Sequence, residues 1–302
     1  MFNNIQHHPE KQSRGFTLIE LIMVIVLTGI LATVASVFIV GPIEGFVDSN
    51  RRAELVDIAE TALHRMSRET RHAVPNSVRI ANNGTRFAIE FLRTSTGGRY
   101  RALPASAGIS DPLDFTVNTD SFDVLGGLPD FNQVDTAGGT GRAACLNNAV
   151  DCLVIYNTGT SVTDFNAYIG NNIAAITAIS NTSLTFNNTD VAGWSFPAAS
   201  PVQRFFVVDT PMSFVCDSAS GELWMYQNYT IQAAQPVAAG SFGGIGAVLA
   251  DQVSNCGVNT FQYNAGAGER YGLVVIRITI TANDGSNEQV SLLQQVHVLN
   301  AP

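Results

Sequence analysis

The sequence predicts an α+β fold: one long N-terminal helix, kinked near its middle, packed on a β-rich, loop-rich distal domain. Three observations predict it. Residues 16–43 are almost wholly apolar, and residues 44–74 repeat apolar side chains near a 3.6-residue period. From Asn76 onward the period falls to two, and Gly, Asn, Thr and Asp separate short apolar runs. The segments are therefore a polar leader (1–15), a transmembrane helix (16–43), an amphipathic stem helix (44–74) and a β-rich globular domain (75–302).

The polar leader ends at Arg14-Gly15-Phe16, and the apolar run begins there. Between Glu20 and Glu44 lie 23 residues without a charge. At about 1.5 Å per residue such a helix crosses a hydrocarbon core of roughly 30 Å. An ordinary secretory signal carries its cleavage site after the apolar stretch. Here the conspicuous boundary precedes it, so a cut after Gly15 leaves the helix on the mature chain. Lys11 and Arg14 just ahead of the run favour a cytoplasmic N-terminus and a periplasmic distal domain.

Glu20 is the anomaly of this segment. A carboxylate in a bilayer helix is costly and is a functional candidate by default. After a cut at Gly15, Glu20 is the fifth residue of the chain and Phe16 carries a free amine. The two charges can neutralise each other between adjacent subunits. The plainer reading is a Glu that snorkels to the interface.

The run Gly15-Phe16-Thr17-Leu18-Ile19-Glu20-Leu21 resembles the class III signal of type IV pilins and type II secretion pseudopilins. The resemblance implies cleavage after Gly15 and N-methylation of Phe16 by a prepilin peptidase. It also implies that Glu20 pairs with the Phe16 amine of a neighbouring subunit. The partners implied are other minor and major pilins, the inner-membrane assembly platform, and membrane lipid before assembly. The stem ELVDIAETALHRMSRETRHAVPNSV, followed by FAIEFLRTSTGGRYR, resembles the MshO-type minor pilins of the MSHA (mannose-sensitive haemagglutinin) pilus. Residues 210–217 and 221–224 resemble the distal strands of large minor pilins. The expected role is structural, incorporation to start or cap a filament. A type II secretion pseudopilin shares the N-terminal features. A pilus-tip adhesin, contacting a surface through loops in 105–200, is the third reading.

Within the helix, Gly41-Pro42 predicts a kink or a short unwinding, because Pro removes a donor and crowds the preceding turn. Ser49 or Asn50 then caps a second half, which Val74-Pro75 ends. Leu55, Ile58, Ala59, Ala62, Leu63, Met66 and Ala73 form its apolar stripe, expected to pack on the chain's own sheet. His64 and His72 are eight residues apart, so they are not an i, i+4 metal pair and read as surface polar residues.

In the distal domain, residues 77–81 and 85–94 flank Asn82-Asn83-Gly84 as a hairpin. Ser95-Thr96-Gly97-Gly98 reads as a turn into a strand at 99–103. Strands are expected at 202–209, 212–216 and 221–230. Residues 271–281 and 289–299 read as a hairpin central to the sheet, with Val274, Ile276, Ile278 and Ile280 on one apolar face. Residues 105–200 hold apolar runs at 152–156 and 172–179 but no larger pattern. Four Cys permit three pairings. Cys145 with Cys152 and Cys216 with Cys256 is favoured, because each closes a loop within one region.

The charge balance bears on partners. The chain carries a net charge of -9. Ten Arg lie between Arg51 and Arg101 against five acids, whereas four Arg and sixteen acids follow. An acidic distal domain argues against nucleic-acid binding. The basic segment suits anionic lipid, or a solvated helix face interleaved with Glu54, Asp57, Glu60 and Glu69. No enzyme, metal or cofactor is expected. No nucleophile-elbow motif occurs, and Gly139, Gly141 and Ala144 match the relaxed dinucleotide pattern without a preceding strand. Residues 284–288 read as a turn rather than a calcium loop.

Overall fold

The structure is a computed structural model that describes residues 15–105, 110–265 and 271–302. The leader residues 1–14, with Lys11 and Arg14, lie outside the described residues. The chain divides into two compact units between Ala53 and Glu54.

Helix α1 (Leu18–Thr70) is uninterrupted. The chain stays helical through Gly41 and Pro42, so the unwinding expected there does not occur, and Ser49 and Asn50 are helical residues rather than caps. A single Pro removes only the bond to the carbonyl four residues earlier, that of Phe38. The helix ends as anticipated before Pro75. His72 N–H bonds the Glu69 carbonyl at 3.0 Å and Ala73 N–H the Thr70 carbonyl at 3.1 Å, a tightened last turn.

From residue 54 the amphipathic stripe is buried. Leu55, Ala59, Ala62, Leu63 and Met66 join one core with Ile89, Phe91, Phe214, Leu223, Val274 and Ile278, and Ile58 packs at its edge. Leu55, Ala59, Ala62 and Met66 fall on one helical face, which is why the period was readable.

The strands are β1 (Arg79–Asn82), β2 (Arg86–Tyr100) and β3 (Thr119–Leu125), then a short helix α2 (Arg142–Leu146). They continue as β4 (Cys152–Ile155), β5 (Ile173–Ile179), β6 (Ser183–Asn187), β7 (Arg204–Asp217), β8 (Glu222–Gln227) and β9 (Ile245–Ala250). The last three are β10 (Phe261–Asn264), β11 (Tyr271–Thr281) and β12 (Gln289–Leu299). Nine strands pair in the order β1-β2-β3-β6-β5-β4-β7-β8-β9, and β2 also pairs with β7. The extra pairing closes a ring: β2, β3, β6, β5, β4 and β7 form a six-stranded antiparallel barrel. Its interior holds Tyr100, Phe122, Leu153, Ile176, Phe186 and Phe205 among other apolar side chains. Residues 101–203 are thus an insertion between two long strands. Its ends meet where Tyr100 N–H bonds the Gln203 carbonyl at 2.9 Å.

Three strand expectations are corrected. First, Ser95–Gly98 is not a turn: β2 runs through it, with register shifts between Arg93 and Thr96. Glycine there permits close approach, since a Cβ on Gly97 would lie 2.8 Å from the Phe205 carbonyl oxygen. Second, the strands expected at 202–209 and 212–216 are a single strand, β7 (Arg204–Asp217), which passes through Pro211. Opposite Pro211, the N–H and C=O of Leu92 both point away from β7, toward Ser77 and Val74. Pro211 is therefore a non-hydrogen-bonded partner of Leu92, and its missing donor faces the other edge of β7. On that edge β4 stops at Val208 and β8 starts at Met212, so no ladder bond is lost. Third, β11 and β12 are not central to the main sheet. With β10 they form a separate three-stranded sheet whose apolar face is buried against the stem core.

The abundant Asn side chains also have a structural use. Asn157, Asn172 and Asn188 are buried, and each satisfies backbone groups that no strand ladder serves. Asn76 ties Asn157 and Asn300 together through their carbonyls, at 2.9 and 3.2 Å.

Two buried acids shape stability. Glu90 on β2 is fully buried and accepts from Arg79 Nε at 2.6 Å and from the Tyr229 hydroxyl at 2.9 Å. Arg79 also donates to the Ala233 and Gln232 carbonyls and lies 3.6 Å over the Tyr168 ring. Burial raises the Glu90 carboxyl, and Arg79 opposes that shift. Glu90→Ala leaves the Arg79 charge buried and is predicted to lower unfolding free energy by about 3–5 kcal/mol. Urea denaturation of the detergent-solubilised chain reads this, and a loss within experimental error would reject the pair as a structural anchor.

Asp151, beside Cys152, is raised to about 7, chiefly by burial and further by Asp209 and Asp135. Its folded value exceeds the usual Asp value of about 3.9. The unfolded chain then releases this proton first as pH rises, so the contribution to stability falls from about pH 4 up to about pH 7 and then levels. Asp151→Asn should remove that slope. The melting temperature of the variant minus that of the parent is expected to grow between pH 5 and pH 8. A pH-independent difference would contradict the assignment.

Candidate functional site: the helix start and the apolar segment

The N-terminal part of α1 has the sequence of a good helix start. Thr17 precedes the helix, and its Oγ1 accepts the Glu20 N–H at 3.3 Å. The Thr17 carbonyl accepts the Leu21 N–H at 3.1 Å, the first helical bond. Thr17 and Glu20 stand at the spacing of a capping box, S/T-x-x-E. Glu20 also lies in the first turn, where a negative charge is favoured by the helix dipole. Sequence reasoning assigned Glu20 a pairing role and passed over Thr17. The signal was the three-residue spacing.

Beyond the cap the helix turns its apolar side chains outward all round. Phe16, Leu18, Leu27, Leu31, Val37, Phe38 and Phe46 are each exposed, and none of residues 15–50 is buried. Its polar side chains are satisfied internally. Thr28 Oγ1 donates to the Val24 carbonyl at 2.7 Å, and Thr33 Oγ1 to the Ile30 carbonyl at 2.8 Å. That is how hydroxyls are accommodated in a hydrocarbon phase. No atom approaches within 4 Å of a Cβ built at Gly15, Gly29, Gly41 or Gly45. The helix is long and apolar enough to cross a membrane. Among the described residues Glu20 has no ion-pair partner within the chain.

The other motifs do not assemble an active site. Gly139 and Gly141 precede α2, but the amides at that helix start are occupied: Asp190 accepts from Arg142 N–H at 2.9 Å and from Ala143 N–H at 3.1 Å. No anion site remains there. Asp284 accepts the Ser286 N–H at 3.0 Å, as a turn-forming Asp does. His64 is exposed beside Glu60, and His72 and His297 are exposed. Among the described residues, no three His, Cys, Asp or Glu side chains are placed to hold a metal.

The four Cys form two disulfides, Cys145–Cys152 and Cys216–Cys256. The first ties α2 to the start of β4. The second ties β7 of the large sheet to the loop ahead of β10. Each Cα–Cα separation, 5.5 and 5.3 Å, lies in the normal range.

The family model described as the prokaryotic N-terminal methylation motif matches residues 11–36. The matched stretch contains Gly15, Phe16, Thr17 and Glu20 and most of the uncharged run. The motif supports a type IV pilin-like or pseudopilin chain, a structural subunit class, and fits single-pass anchoring in the inner membrane. No curated protein and no solved structure matches the chain.

Proposed function

We propose that this chain is a minor pilin of an MSHA-type type IV pilus, made as a precursor and incorporated to start or cap the filament. The observation that carries the reading is the methylation motif on a helix whose apolar surface is exposed among the described residues. Such a surface needs lipid or other helices around it. A membrane supplies the first state and a filament of packed helices the second. The finer assignment, to MshO-type subunits, draws on the sequence resemblance of residues 15–103 and 205–230.

In this reading a prepilin peptidase cuts after Gly15 and methylates Phe16. The N-terminus then faces the cytoplasm and the globular domain the periplasm. Glu20 stands near the start of an apolar helix, where a neighbour's Phe16 amine can pair with it. Neutralisation in a medium of low dielectric strongly favours the paired state. Thr17 caps the first turn, in which Glu20 stands. The extracted subunit adds its helix to the bundle, joined by other minor and major pilins and driven by the assembly platform.

Gly15→Val is predicted to block processing, leaving one precursor band on an immunoblot. A mature-size band of normal intensity would refute the cut site. Glu20→Ala should still insert in the membrane but co-purify with partner pilins at least tenfold less. Unchanged co-purification would remove Glu20 from assembly. Mass spectrometry of the partners captured by the parent chain separates a pilus subunit from a secretion pseudopilin.

A further inference from the structure

The outer face of the barrel carries an arrangement that the filament role does not use. The β2–β7 register sets Arg99 directly opposite Arg204. Directly opposed residues of an antiparallel pair project to the same face, where like charges repel. The neighbouring arginines are each neutralised: Arg79 by Glu90, Arg86 by Asp217, Arg93 by Asp209 and Arg101 by Asp123. Among the described residues Arg99 and Arg204 are not. The Arg99 guanidinium donates to the Val202 carbonyl at 3.2 Å, and the Arg204 guanidinium to the Ala301 carbonyl at 3.5 Å. No carboxylate of the described residues lies within ion-pair distance of either guanidinium, although the segment after Arg101 carries sixteen acids.

Both arginines line one concavity of about 470 Å³, together with the exposed His72 and the half-buried Phe206. Gly97 sits across from Phe206 in the register and two residues from Arg99 on the same face. A Cβ at Gly97 would lie 3.5 Å from the Phe206 ring, so its absence keeps the space above that ring open. The volume is that of a small-molecule site. Guanidinium groups match carboxylates through paired N–H donors, and an aromatic floor suits a ring with one apolar face.

We propose that this concavity binds an acidic monosaccharide unit, its carboxylate held between Arg99 and Arg204 and its ring resting on Phe206. The carboxylate relieves the Arg–Arg repulsion, and the His72 side chain lines the same concavity.

The test is isothermal calorimetry on the detergent-solubilised chain, with D-glucuronate, D-glucose and inorganic phosphate as separate probes. D-Glucuronate is expected to bind saturably, D-glucose not at all, and phosphate at least fivefold more weakly than D-glucuronate. Arg99→Gln and Arg204→Gln should each weaken D-glucuronate at least tenfold. Circular dichroism and melting temperature check folding, and relief of the repulsion should leave the melting temperature unchanged or higher. Absence of saturable D-glucuronate binding at 20 mM, roughly the weak limit for a two-point charge contact, would overturn the site. Equal binding of D-glucose, or affinity retained in both variants, would overturn the role of the arginines. Phosphate binding as tight as D-glucuronate would overturn the saccharide class.

Discussion

The globular part depends on the pairing of β2 with β7. Over its lower length this pair carries Ile89, Phe91, Met212 and Phe214 into the core shared with the stem helix. Over its upper length the same two strands are walls of the barrel, supplying Tyr100, Phe205 and Val207 to a different core. Alternation along a strand sends neighbouring side chains to opposite faces. The irregular register between Arg93 and Thr96 lies between the two tasks, where β2 and β7 exchange one set of neighbours for another. A slip of one residue in this pairing would turn both cores inside out.

The stem and the barrel differ in how their stability is secured. The stem core is built from a helix stripe and two sheets, with Cys216–Cys256 joining β7 to the loop ahead of β10. Apart from β2 and β7 the barrel strands are short, and the β2–β3 contact spans only two register pairs, Arg99 with Leu125 and Tyr100 with Val124. Its closure is reinforced by aromatic packing. Phe122 meets Phe205 edge-on at 5.6 Å, and Trp194 meets Phe196 at 4.8 Å. Such pairs add roughly 0.5–1.5 kcal/mol each beyond their area.

Much of the first hundred residues was legible because the signals there are local. An uncharged run of membrane length, a 3.6-residue stripe and an Asn-Asn-Gly turn each act within a few residues. The barrel was not legible because its order comes from distant pairs. β3 joins β6 across more than sixty residues, and β4 finds β7 across fifty. Gly97-Gly98 and Pro211 were misread for the same reason. They signal breaks in an isolated strand, but here glycine allows close approach and Pro211 faces a gap between neighbours. The Asn-rich stretches read as loops, yet Asn157, Asn172 and Asn188 are buried and serve as backbone partners. At the helix start, the Gly15–Glu20 run is contiguous in the sequence and lies within the matched methylation motif, and the Thr17 cap was signalled by its three-residue spacing to Glu20.

The insertion between β2 and β7 sets a timetable for the newborn chain. After Tyr100 leaves the ribosome, 103 residues (101–203) must follow before Arg204, the first of β7. At about 5–20 residues per second the wait is roughly 5–20 s. Throughout it, the edge of β2 that carries Phe87, Ile89 and Phe91 toward β7 has no partner, while β1 covers only the other edge. A bare strand edge of that composition is an aggregation template. If the globular part is exported as proposed, its passage calls for an escort, or a channel, that keeps β2 solitary until its second half arrives.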